Sequence, residues 1–122
     1  MRYLLAVLLL VHGVAHLPGF LVAYGKASFP EVPYRTTVFG ALDIGATGAR
    51  AIGLAWLALS FSFVALAAVL ALRLNVTPMM FPAVLGMSAL LCAAEWPEAR
   101  LGFVANTVIA ALLVVAERYD AF

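Results

Sequence analysis

Hydrophobic residues run along this chain in four long stretches, parted by polar or turn-forming segments. The first is Tyr3–Tyr24, the second Ala49–Leu72, the third Pro78–Trp96 and the fourth Leu101–Ala116. Each has the length of a helix that crosses a lipid bilayer, which takes roughly 17–25 mostly apolar residues. The connections Arg73–Thr77 and Pro97–Arg100 are short, and short connections make antiparallel neighbours of the helices they join. The pattern predicts an all-α fold: an integral membrane, four-helix transmembrane bundle running up-down-up-down. It forms a single domain over residues 1–122, with spans near 3–24, 49–72, 78–96 and 101–116.

The connection between the first two helices, Gly25–Gly48, is the long one. Pro30, Pro33, Gly40, Gly45 and Gly48 interrupt regular structure in it. Its TTVFGALDIG segment mixes β-branched, aromatic and small residues, which predicts a short hairpin or an interfacial cap on the bundle. Long loops of this kind often carry function.

Composition strengthens the membrane reading. Hydrophobic residues make up 66% of the chain and charged residues 11%, against roughly 25% charged in a soluble domain. A soluble chain of this length could not hide so much apolar surface. The formal net charge of +1 gives no case for nucleic acid. Cys92 is the single cysteine, so no intramolecular disulfide can form. Met1-Arg2 followed by YLLAVLLLV has the outline of an export signal. The apolar run continues to Tyr24 with no small-x-small cleavage site and polar start behind it, so it reads as an uncleaved first span. Arg2, Arg73 and Arg118 fall on the side of the termini; Lys26, Arg35, Arg50 and Arg100 fall on the other. Arg2 directly precedes the first helix and favours termini in the cytoplasm, with the chain in the inner membrane.

Against this background the polar residues inside the spans stand out, because a bilayer interior punishes them. His12 and His16 are spaced i, i+4, so both imidazoles point to one side of the first helix. Pro18 should bend that helix next to them. His16 lies roughly 12 Å below the loop side, at 1.5 Å of rise per residue. Asn106 enters the same half from the fourth helix, Glu95 from the third and Arg50 from the second. The opposite half, near Leu5–Leu10, Val64–Leu72 and Val108–Val115, is almost wholly apolar. A polar pocket open toward the long loop is expected, with His12, His16, Arg50, Glu95 and Asn106 as ligand-binding candidates.

Helical stripes agree in part. Ser88, Cys92 and Glu95 share a face of the third helix, and Ala49, Gly53, Trp56 and Ser60 share one of the second. Gly102, Asn106 and Ala110 have the small-xxx-small spacing of a close helix contact. The histidine pair could bind a metal ion, ligate haem iron or hydrogen-bond a quinone carbonyl. As a metal site it is incomplete, and Glu95, Asp43 and Cys92 are the third-ligand candidates. The bland alternative is that each histidine bonds a neighbouring helix as glue. Glu95 could carry a proton or pair with Arg100 or Arg50 at the interface, Arg50 could hold an acidic ligand group or snorkel to the interface, and Asn106 could join helices. No glycine-rich phosphate loop, Cys-x-x-Cys, G-x-S-x-G or H-E-x-x-H motif is present.

The segments HGVAHLPGF (12–20), LDIG (42–45), RAIGLAW (50–56) and WPEARLG (96–102) with Asn106 resemble a group of small bacterial four-helix membrane proteins without an assigned activity. More loosely, the chain resembles the DoxX-like family, whose first helix carries an HG pair matched by His12-Gly13. That likeness implies a four-helix membrane protein and, for some members, quinone-coupled sulfur oxidation. The leading expectation is a small membrane protein that binds a lipophilic ligand, or a redox-linked, quinone-type accessory protein. A structural or assembly subunit of a larger membrane complex is the alternative, followed by a metal- or haem-binding membrane enzyme. Expected partners are membrane lipid and a membrane complex or a second copy of the chain.

Overall fold

In a computed structural model, described here for residues 1–75 and 77–119, the chain is all-helical apart from one small hairpin. Helix α1 covers Arg2–Ala15 and α2 covers Leu17–Ala23. Strands β1 (Thr37–Val38) and β2 (Leu42–Asp43) follow. Then come α3 (Gly45–Leu72), α4 (Met80–Ala94) and α5 (Arg100–Arg118). Three rods are long and apolar enough to cross a membrane: α1 with α2 as one 22-residue rod, the 28-residue α3 and the 19-residue α5. Helix α4, at 15 residues, is a shorter apolar helix.

The spans differ from the hydropathy pattern at their ends, and the reasons are local. The first is broken at His16, beside the expected bend. Pro18 has no N–H to continue the ladder and sits in the first turn of α2, where that lack costs nothing. The second starts at Gly45 rather than Ala49. Asp43 Oδ1 accepts the Gly45 N–H at 2.9 Å in an Asx turn just ahead of the helix, and the N-cap residue Ile44 supplies no side-chain bond. Helix α3 stops where Arg73 turns left-handed (φ 58°) and the Leu74 N–H reaches back to the Val69 carbonyl at 3.0 Å. The third is trimmed from 78–96 to Met80–Ala94, which leaves Glu95 and Trp96 in the turn. The fourth extends to Arg118, because backbone hydrogen bonding continues past the last apolar residue.

The expected cap is present as a hairpin. Val38 pairs with Leu42 and Thr37 with Asp43, and Phe39 and Gly40 turn the chain with positive φ. The Phe39 N–H donates to the Ala94 carbonyl at 2.7 Å, which pins the hairpin to the end of α4. Arg35 bonds Glu98 at 2.7 Å and ties the long loop to the α4–α5 turn.

The rods α1–α2 and α3 fit together most closely, through glycine. A Cβ on Gly13 would lie 2.8 Å from Phe63 Cβ, and one on Gly19 would lie 2.5 Å from Trp56 Cδ1. A Cβ on Gly53 would lie 2.5 Å from Ala23 Cβ. The stripe Ala49, Gly53, Trp56 and Ser60 is buried throughout, as its spacing implies. Around this seam Leu5 and Leu9 of α1, Phe63 and Leu66 of α3, and Ile109 and Leu113 of α5 make the apolar core. Gly13→Ala is expected to destabilise the fold by about 1–3 kcal/mol, because the methyl group meets Phe63 and the Ser60 carbonyl. Gly86→Ala, whose Cβ meets nothing within 4 Å, should leave the melting temperature unchanged or raise it. Thermal unfolding in detergent measures both, and equal effects would contradict the seam.

Candidate functional site

His12 and His16 turn their rings into the bundle from α1 and from its junction with α2, and both are buried. On one side they meet aromatic rings of α3. His12 is edge-on to Phe63 with centroids 4.7 Å apart, and His16 is edge-on to Trp56 at 4.9 Å. The two imidazoles are 4.5 Å apart, centre to centre. On the other side they meet the polar residues of α4 and α5. His12 Nε2 lies 3.0 Å from Asn106 Oδ1, and His16 Nε2 lies 2.9 Å from Ser88 Oγ. Asn106 Nδ2 donates to Ser88 Oγ at 2.9 Å and more weakly toward Cys92 Sγ at 3.8 Å. Four buried polar side chains are thus joined in the order His12, Asn106, Ser88, His16.

A carboxamide oxygen can only accept, so His12 donates from Nε2 to Asn106 Oδ1. The Ser88 oxygen accepts from Asn106 Nδ2 and has one lone pair and one proton left, and His16 Nε2 meets one of the two. Each partner satisfies another, which is what a low-dielectric interior requires of buried polar groups.

A cavity of about 1040 Å³ lies in the other half of the molecule, toward the termini, between α3, α4 and α5. Asn106 stands at its inner end. Its walls include Leu70 of α3, Pro82, Gly86 and Ala89 of α4, and Ala110 and Leu113 of α5. The α4 residues recur along one face and are small, so they leave the space unfilled. Near the loop side α4 and α5 touch: a Cβ on Gly102 would lie 3.0 Å from Cys92 Sγ. Ala110, in the same small-residue stripe as Gly102, lines the cavity, so the close contact expected over the whole stripe holds only at its top. Gly86, Thr107 and Val114 are exposed cavity residues, so the space opens sideways between α4 and α5.

No protein-family model, no curated protein and no solved structure matches this chain.

The candidates from the sequence thus divide. His12, His16 and Asn106 come together. Arg50 is exposed on α3 and has no hydrogen bond to them. Glu95 is half-buried in the turn after α4 and borders a separate small cavity of about 30 Å³ with Arg35, Trp56 and Gly19. Under the loop His12, His16 and Asn106 are joined through Ser88, and the large cavity lies in the apolar half. Asp43, a third-ligand candidate for a metal, is exposed and engages Gly45 instead. Among the described residues no group of three His, Cys, Asp or Glu converges to hold an ion. The Nε2 atoms of both histidines are already engaged by protein partners, which disfavours metal or haem ligation through them.

Ser88 was visible in the sequence only as a member of the Ser88–Cys92–Glu95 stripe, and its bonding role needed the fold. Arg2 and Gly86, which border the cavity, carried no signal of it. Asn106→Leu is expected to cost about 1–3 kcal/mol, because it leaves His12 unpaired and takes one of its two partners from Ser88. His12→Leu together with Asn106→Leu should cost less than the sum of the single changes, by about 0.5–3 kcal/mol. Unfolding equilibria of the four proteins in detergent measure the coupling, and strict additivity would break the circuit.

Proposed function

We propose that this chain is a four-span membrane protein of the bacterial inner membrane that holds a lipophilic ligand between α3, α4 and α5. The observation that carries the reading is the side-opening cavity of about 1040 Å³, at the upper end of ligand-pocket sizes and walled mainly by apolar side chains. Three rods with the length and hydropathy of spans support the membrane setting. Helix α4 completes the fourth span with the turns at its ends; its own 15 residues reach roughly 22 Å. In such a setting a sideways opening faces acyl chains, and a ligand can enter without crossing water. The resemblance to DoxX-like proteins gives this reading a redox-linked form, in which a quinone ring would lie against Asn106 at the inner end. The hydrogen-bonded circuit favours a second reading, a structural subunit whose polar residues serve only to join helices.

In the four-span reading both termini and the α3–α4 turn share one side, assigned to the cytoplasm because Arg2 adjoins the first helix. Ser28→Cys should then be labelled from the periplasmic side of intact spheroplasts and Asn75→Cys only after lysis. Labelling of both from outside would refute the four-span arrangement. Cys92 is buried and should stay silent in both.

Native mass spectrometry of the protein in mild detergent should show a bound lipophile. Gly86→Leu should remove most of it, since its side chain enters open cavity space and meets no protein atom at Cβ. Quinone in the extract would establish the redox-linked form. A ligand-free protein with a stoichiometric protein partner would establish the structural reading instead.

A further inference from the structure

The mouth of the cavity has a chemistry that its walls lack. Arg2, Arg73, Asn75 and Glu117 border it at the terminal end. Among the described residues the ion pair within reach of any arginine is Arg35–Glu98, so neither Arg2 nor Arg73 is neutralised by Glu117. Among the described residues two guanidinium groups thus face one carboxylate, which gives the mouth a net positive charge there. Arg2 is the unusual member. Its Nε and Nη1 are shut off from solvent and have no hydrogen-bond partner among the described residues. Its guanidinium carbon lies 4.5 Å from the centre of the Tyr3 ring. An arginine at a helix end normally extends to water. Here two of its donors are kept dry and empty beside an apolar cavity, which is costly unless an acceptor completes them.

We propose that the cavity takes an anionic amphiphile. Its carboxylate or phosphate head is gripped by Arg2 with Arg73 beside it, and its hydrocarbon chain runs inward toward Asn106. A planar guanidinium matches such oxygens with charge-assisted hydrogen bonds. From Glu117 to Asn106 the cavity follows α5 for roughly 16 Å, at 1.5 Å per residue. The walls over that depth offer carbon, and small residues on α4 leave width for a chain. Glu117 limits the site to a singly charged head or one that displaces its side chain. The inference rests on the lipophilic-ligand reading above and names the class of that ligand.

The test uses the full chain in non-ionic detergent and probes of one chain length: dodecanoate, dodecyl phosphate and dodecanol. Binding is followed by native mass spectrometry over a titration, with thermal unfolding of each variant as the control for folding. At least one anionic probe should bind about tenfold or more tighter than dodecanol. A preference for dodecanoate points to a fatty acid, and one for dodecyl phosphate to a lipid phosphate head. Arg2→Gln should abolish the anionic preference and leave dodecanol binding unchanged. Arg2→Lys should keep part of it, and Glu117→Gln should increase it. Gly86→Leu should weaken all three probes. Equal binding of dodecanol and both anions, or an anionic preference that survives Arg2→Gln, overturns the proposal. If Gly86→Leu still weakens binding in that case, the cavity reading stands with a neutral ligand. If no probe binds, or Gly86→Leu changes nothing, the cavity reading falls as well.

Discussion

Polar groups inside an apolar bundle have no water to turn to, so each must find its partner in the protein. The bonds from His12 to Asn106, from Asn106 to Ser88 and from Ser88 to His16 meet that demand with residues from the α1–α2 rod, α4 and α5. Together they hold α4 and α5 at a set height against α1. Individual bonds of this kind contribute only about 0.6 kcal/mol on average in membrane helices. Their greater effect is on register: sliding one helix by a turn would strand several polar groups at once.

The circuit works because the α1–α3 seam is so close. Gly13 lets the first rod settle against Phe63 and the Ser60 carbonyl, and this proximity brings the imidazoles under the rings of Phe63 and Trp56. The aromatic edges close one flank of the histidines, and the polar side chains of α4 and α5 close the other. The histidine pair is thus bonded to α4 and α5 on one flank and packed on aromatic rings of α3 on the other.

Below the joint the packing loosens. Cys92 and Gly102 bring α4 and α5 together near the loop, whereas Pro82, Gly86 and Ala89 fail to fill the space farther down. The hairpin and the Arg35–Glu98 pair clamp α4 only at its loop end. At the other end Leu85, Val84 and Phe81 pack on the core while Pro82, Gly86 and Ala89 line the cavity. The joint and the cavity meet at Asn106, which makes this residue the one point where occupancy of the cavity could be felt by the helix contacts.

Local pattern was enough to place the helices, because hydrophobic length and the breaks at Pro18 and the loop glycines act within a few residues of themselves. It also marked the histidines and Asn106 as unusual, since the penalty for a buried polar group depends on its own chemistry. The spacing of Ala49, Gly53, Trp56 and Ser60 revealed a buried face, because a helix repeats on a fixed period. Which polar residue bonds which could not be read that way. Ser88 meets His16 across 72 positions and Asn106 meets His12 across 94, and such pairings exist only once the rods have settled side by side. The same holds for Arg50 and Glu95, which share a membrane depth with the histidines but differ in direction around the bundle. The cavity was equally hidden: Gly86 and Ala89 carry no mark of it in the sequence, and only the packing of α3, α4 and α5 makes them its walls.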